Sequence, residues 1–330
     1  EMKFVRFNQG TTGLLVGDQI IDVISSSESL DKSKSDILDR LLLERGKGSW
    51  NEMIIHWDEA KEPLNELNSL AQSGDLQQTL PLTSVRLDAP LPDPRNRIIA
   101  LGANVAAHAV NAFKAITGQE FTEDHFHKEQ RDGLPPWGFT IMPETVVGTD
   151  TEVKPESGVK KFDYEVEVGI ILGSRGRNLT NNDFSVWGFT VWNDLSIRDP
   201  RLGIGAPIHR GAFNWALEKN FETGNSCGPC VVVDESYDVN NLQCVMRVNG
   251  EVRQDWNTSD MIFGFSESVS YLSRYIHINP GDIICSGTGE GTAVESGVDG
   301  DKWLKPGDRM EAQVEGVGTL VNTVGEWGKS

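Results

Sequence analysis

The chain is short of cations and of cysteine, and it has no long apolar run. Of its 330 residues, 30 are Lys or Arg against 49 Asp or Glu, a net charge of −19. No basic stretch offsets that excess locally, so nucleic acid and anionic membrane surfaces are repelled and are excluded as partners. Nowhere does an apolar stretch approach the roughly 20 residues of a spanning helix. The start, Glu1-Met2-Lys3-Phe4-Val5, has neither an apolar signal region nor a cleavage site, and Glu1 reads as an added residue ahead of the natural Met2. With only 4 cysteines and no export signal, the expectation is reduced thiols in a cytoplasmic protein. What remains, 38% hydrophobic and 24% charged residues, is the composition of a globular chain and excludes disorder.

Residues 2–24 alternate apolar and polar around glycine turns, which predicts a small antiparallel sheet. Between 30 and 75, Ile37, Leu38, Leu41 and Leu42, then Leu64, Leu67 and Leu70, carry helical spacing. Pro90, Pro92 and Pro94 stiffen the next segment, dividing a small N-terminal α+β domain (1–86) from a larger catalytic domain (87–330). Beyond it, a strand over 97–101 leads into a helix over 105–116, with Asn104 as its N-cap. Residues 117–138 read as one long polar loop. From 139 onward, short β-favouring runs at 164–172, 186–192, 230–233, 245–248, 283–285 and 310–314 surround one helix at 266–275. The fold class is α+β, predominantly β.

Chemistry concentrates in Asp163-Tyr164-Glu165-Val166-Glu167. Residues i and i+2 of a strand share a face, so Glu165 and Glu167 project together. Two adjacent carboxylates repel, and burying both without a counter-charge is costly. Oxygen-only ligation points to Mg²⁺, Mn²⁺ or Ca²⁺ rather than zinc. A solvent-facing Glu-x-Glu on an antiparallel strand has the same pattern, so the motif alone leaves both readings open. Asp194, at the end of Gly188-Phe189-Thr190-Val191-Trp192-Asn193-Asp194, offers a third carboxylate.

Those two segments, with Ser196, Arg198 and Asp199 and with Gly281-Asp282-Ile283-Ile284-Cys285-Ser286-Gly287-Thr288-Gly289, resemble the fumarylacetoacetate hydrolase (FAH) family in order and spacing from about Leu91 to Val324. The resemblance implies a mixed β-roll catalytic domain, usually homodimeric. It also implies Mg²⁺ or Mn²⁺, with Ca²⁺ compatible, held by Glu165, Glu167 and Asp194. The implied substrate is a small β-dicarbonyl or 2-oxo acid. Hydrolysis of a C–C bond is the first expectation. Decarboxylation, isomerisation or dehydration on the same metal site is the alternative, and a non-catalytic ligand-binding relative the third. Lys219 matches the family lysine beside the metal, where it would stabilise an oxyanion or polarise a carbonyl. Arg198 would orient the carboxylates, and Gly287 and Thr288 would hold a substrate oxygen.

The likeness frays at the catalytic base. Family hydrolases carry Gly-x-Asn-Tyr-x-x-His-x-x-Glu on a lid helix, where the His–Glu pair activates water. His108 falls at the histidine, but position 111 is Asn. An amide can orient an imidazole without raising its basicity. Three solutions are open: a carboxylate from elsewhere (Glu120, Glu123, Asp124 or Glu290), His108 alone, or chemistry that needs no activated water. Met142, Arg201, Glu290 and an insertion over 293–302 also depart from the family pattern near the expected pocket, and Arg201 and Glu290 are candidate substrate contacts. Cys227-Gly228-Pro229-Cys230 has redox spacing but runs into a strand rather than a helix, so redox chemistry is not expected. His125 and His127 read as solvated loop residues.

Overall fold

The computed structural model describes residues 1–42, 44–76, 78–204 and 211–328. The first strands form a meander, Met2–Phe7, Thr11–Val16 and Gln19–Asp22, but it does not stand alone. Met2–Phe7 pairs antiparallel with Asn225–Val233, Met2 facing Val233. From there the sheet runs through Val186–Asp194, Val166–Leu172, Ile283–Cys285 and Ile98–Leu101 to Gly138–Ile141, twelve strands among the described residues. A second sheet orders Glu251–Asn257, Gln243–Val248, Arg309–Val314, Gly318–Val324 and Thr151–Val153. The result is an α+β fold.

The strand Val166–Leu172 explains why its sequence is almost wholly apolar. Val166, Val168, Ile170 and Leu172 meet Met246, Met310 and Leu320 of the second sheet. Ile171, on the opposite face, joins Trp187 and Trp192 in a core with residues of helices Lys32–Leu41 and Trp57–Ser73. A strand covered on both faces has no solvent side to make polar, and each buried Val, Leu or Ile contributes about 1.5–3 kcal/mol. Glu167, fully inside this strand, therefore needs a reason to be charged.

Arg6 fastens the N-terminal strands to the proline segment. Its guanidinium lies 4.4 Å from the Trp50 ring and donates to the carbonyls of Gly10, Gly48, Leu91 and Pro92. Burial lowers its pKa to about 10, against the pull of Asp93 and Asp88. Arg6→Met keeps most of the stem but strands those carbonyls. The expected loss is about 3–5 kcal/mol in urea unfolding.

Two local expectations are corrected. The segment 117–138 is not all loop, since Glu123–Arg131 is helical. Phe126 anchors it against Phe113 and Phe121, and acidic residues in its first turn with basic ones in its last suit the helix dipole. Asn104 does not cap the following helix, Ala106–Thr117, whose N-cap is Val105. Its side chain instead bonds the backbone of Phe263 and Ser286, tying the start of that helix to the body of the protein.

Candidate active site

Strand register assembles the carboxylates. Val166 pairs with Asn193 and Glu167 with Trp192, and the Asp194 N–H donates to the Glu165 carbonyl at 3.0 Å. Ligand oxygens of Glu165, Glu167 and Asp194 thus lie within 4.8 Å of one another. The residues are 5%, 1% and 1% exposed, so the solvent-facing reading of Glu-x-Glu does not hold.

Two cations work on this cluster. Lys219, at the end of helix Ala212–Lys219, donates to Glu165 at 2.6 Å and to Asp194 at 2.7 Å. Arg198 donates to Asp163 at 3.0 Å and also pairs with Glu165. Four buried carboxylates (Asp163, Glu165, Glu167, Asp194) against two cations leave two negative charges in excess. The imbalance is visible in the acidities. Burial, with Asp194 and Glu165 adding, pushes Glu167 well above the carboxylate range. Asp194 rises to about 7, chiefly through burial. Glu165, which is also desolvated, is held below its ordinary value by Lys219 and Arg198.

A divalent cation fits this arrangement. It would cancel the excess of two, the donor set is all oxygen, and Asp194 Oδ1 is buried with no hydrogen-bond partner among the described residues. Lys219 and Arg198 would then hold the ligands in place from behind, as outer partners do in metal sites.

The carboxylate that meets His108 is Glu295, which none of the sequence candidates named. His108 Nδ1 lies 2.6 Å from Glu295 Oε1. With Nδ1–H donating to the carboxylate, Nε2 is left as the basic nitrogen, and His108 lines the cavity. Glu295 also accepts from Gly291 N at 3.0 Å, Thr292 Oγ1 at 3.1 Å and Asn111 Nδ2 at 3.4 Å. It lies in the short 3₁₀ helix Ala293–Ser296, inside the insertion, whose Ala293 and Val294 amides are held by Asp163. Asp163 thereby joins the base to the Arg198 network, a role that the sequence reading missed. Among the described residues the Asn111 side chain makes only this long bond, so Asn111→Ala is expected to lower kcat less than tenfold in steady-state assays.

The other sequence candidates divide. Thr288 lines the cavity, but its hydroxyl donates to the Val166 carbonyl and accepts from Gln254, each at 2.8 Å. The Gly287 N–H donates to Glu167 Oε2 at 3.2 Å. Both therefore brace the carboxylate strand. Arg201 lines the cavity, bonded to Glu218 at 2.8 Å and stacked 4.8 Å from the Trp215 ring. Glu290 does not join the site: it is exposed in a separate groove with Glu123 and His127. Its turn is fixed the other way because Gly289 abuts Trp256 and Gly291 abuts the Arg253 carbonyl so tightly that neither admits a Cβ. Glu120 and Asp124 form exposed ion pairs with Lys114 and Arg131. Cys227 and Cys230 are buried in a strand, and burial pushes both thiols up to about 12, far from redox reactivity.

Carboxylate triad, Lys219 and His108 line one cavity of about 140 Å³, with Glu295 behind the imidazole. The family model for the C-terminal part of fumarylacetoacetate (FAA) hydrolase matches residues 97–325. The chain belongs to this family. Among FAH-family proteins it is 30% identical to the oxaloacetate tautomerase YisK of Bacillus subtilis (strain 168), over 98% of this chain and 100% of that one. The solved 5-carboxymethyl-2-hydroxymuconate delta-isomerase from Mycobacterium smegmatis is 26% identical, with a TM-score of 0.57 over 75% of this chain and 83% of its own. The maleylpyruvate hydrolase from Sphingobium sp. SYK-6, solved with manganese(II) and pyruvate, shares the fold. Its TM-score is 0.68 at 20% identity, covering 99% of this chain and 100% of that one. Among the described residues no helix is long and apolar enough to cross a membrane.

Proposed function

We propose that the protein is a divalent-metal-dependent enzyme interconverting the keto and enol forms of a 2-oxo acid. The carrying observation is His108, held by Glu295 at 2.6 Å and lining the same cavity as the buried triad. A relative named as an oxaloacetate tautomerase, aligned over its full length, supports tautomerisation ahead of the hydrolysis expected first. A divalent cation held by Glu165, Glu167 and Asp194 would act as Lewis acid on the substrate carbonyl. His108 Nε2 takes the proton from the carbon beside the carbonyl and delivers it to the carbonyl oxygen to give the enol, the reverse transfers restore the ketone, and Glu295 stabilises the imidazolium between the two transfers. Lys219 and Arg198 keep the carboxylates aimed. With Mg²⁺ or Mn²⁺ present, the enol absorbance of oxaloacetate is expected to decay faster than in buffer, and chelation is expected to return it to the buffer rate. A metal-loaded protein that leaves the buffer rate of tautomerisation unchanged for oxaloacetate and phenylpyruvate alike overturns the reading.

A second reading, C–C hydrolysis of an acylpyruvate-like substrate, is favoured by the same pair, since a carboxylate-held imidazole also activates water. Only hydrolysis places ¹⁸O from labelled water in a new product carboxylate, which mass spectrometry detects.

A further inference from the structure

The triad and the base occupy only the inner end of the cavity. Outward from them the walls turn apolar. On one side stand Trp137, Trp215 and Phe139, with ring centroids 5.3 Å (137–215) and 4.7 Å (139–215) apart. On the other, helix Ala106–Thr117 presents Phe113 and Ile116. The slot continues between Ile116, Trp137 and Trp215 to the surface, with Pro200 and the Glu218-paired Arg201 also on its rim. Trp137 is 47% exposed there, yet it is held in place. Its carbonyl accepts from Gly102 N at 2.9 Å, and its indole packs so closely on Gly102 that a Cβ would sit 2.5 Å away. A fixed, half-exposed indole at a site mouth is an apolar surface waiting for a partner.

The charges of the lining argue the same way. Lys219 is committed to Glu165 and Asp194, Arg198 to Asp163 and Glu165, Arg201 to Glu218, and His108 to Glu295. A second carboxylate on the substrate would find, among the described residues lining the cavity, no cation without an acidic partner. A flat uncharged arm would find two facing apolar walls.

We infer that the substrate is a 2-oxo acid whose far end is an aromatic or similarly planar apolar group, received between Trp137 and Trp215 on one side and Phe113 and Ile116 on the other. This rests on the 2-oxo-acid reading above and adds the class of the side arm. A four-carbon dicarboxylate would leave the slot unfilled.

Pyruvate and phenylpyruvate share a chelating head and differ by the phenyl ring, so their dissociation constants for the Mn²⁺-loaded full chain, measured by titration calorimetry, test the slot directly. Phenylpyruvate is expected to bind about tenfold tighter or more. Trp137→Ala is expected to shrink the ratio below about threefold and Trp137→Phe to restore most of it. Trp137 lies at the surface, and Ile116→Glu, on the facing helix, is expected to shrink the ratio independently. A ratio near one in the wild type, or a ratio untouched by both Trp137→Ala and Ile116→Glu, overturns the inference alone. If neither acid binds the metal-loaded chain, the 2-oxo-acid reading falls and takes the inference with it.

Discussion

Glu167→Gln is expected to abolish divalent-metal binding and to lower kcat/KM by about 10³-fold or more, while making the metal-free protein more stable. Glu167 sits inside a strand buried on both faces; among the described residues no ion pair joins it to a cation, and it accepts from Gly287 N at 3.2 Å. Desolvation and the neighbouring Asp194 and Glu165 all oppose its charge. Glutamine keeps the shape and spares the metal-free fold the cost of a carboxyl that burial and its acidic neighbours hold away from its ordinary ionised state. Scanning fluorimetry without metal should therefore show a melting temperature higher by about 1–2 °C per kcal/mol relieved. The stabilisation that Mn²⁺ confers on the wild type through preferential binding should vanish. Unchanged Mn²⁺ affinity by calorimetry would sink the metal assignment.

Glu295→Gln is expected to cut kcat by about 10²–10⁴-fold with little change in KM. The amide can still accept a hydrogen bond, so the turn at 291–296 survives, but it can neither hold His108 in the tautomer that leaves Nε2 basic nor stabilise the imidazolium. Because the two residues act as one unit, His108→Ala combined with Glu295→Gln should be scarcely slower than His108→Ala alone. Additive losses from the two substitutions would show instead that Glu295 serves the fold and not the base. The comparison with Asn111→Ala, on the helix position where the family carries its acid, then separates the carboxylate that acts from the amide that merely touches it.

The strands and helices were legible wherever one local pattern decided them. Ile283–Cys285 lies where its apolar run places it, and the helix expected over 266–275 is found at Phe265–Ser273. The segment 117–138 misled because Glu123–Arg131 is polar on nearly every side: one buried residue, Phe126, and its ring contacts with Phe113 and Phe121 hold it. Asn104 misled because an N-cap signature is local, whereas its side chain is used by Phe263 and Ser286, some 160 to 180 residues away. Expecting Glu290 at the site followed chain proximity to Thr288. Two crowded glycines, 289 and 291, turn that residue aside.

Taken alone, the sequence determined which side chains could hold a divalent ion. Period-two alternation puts Glu165 and Glu167 on one face whatever the fold, and Asp194 ends its own strand. It also determined that a base was incomplete, since Asn111 cannot do a carboxylate's work. Only the tertiary structure decided that the cluster is buried, that its charge balance is short by two, and that Glu295 completes His108 from 187 residues away. The reason is physical: burial and pairing depend on which distant segments share a surface, and no local periodicity records that. An acid supplied by an inserted turn, anchored through Asp163 to the same arginine that pairs with Glu165, exists as a partner of His108 only once the chain has folded.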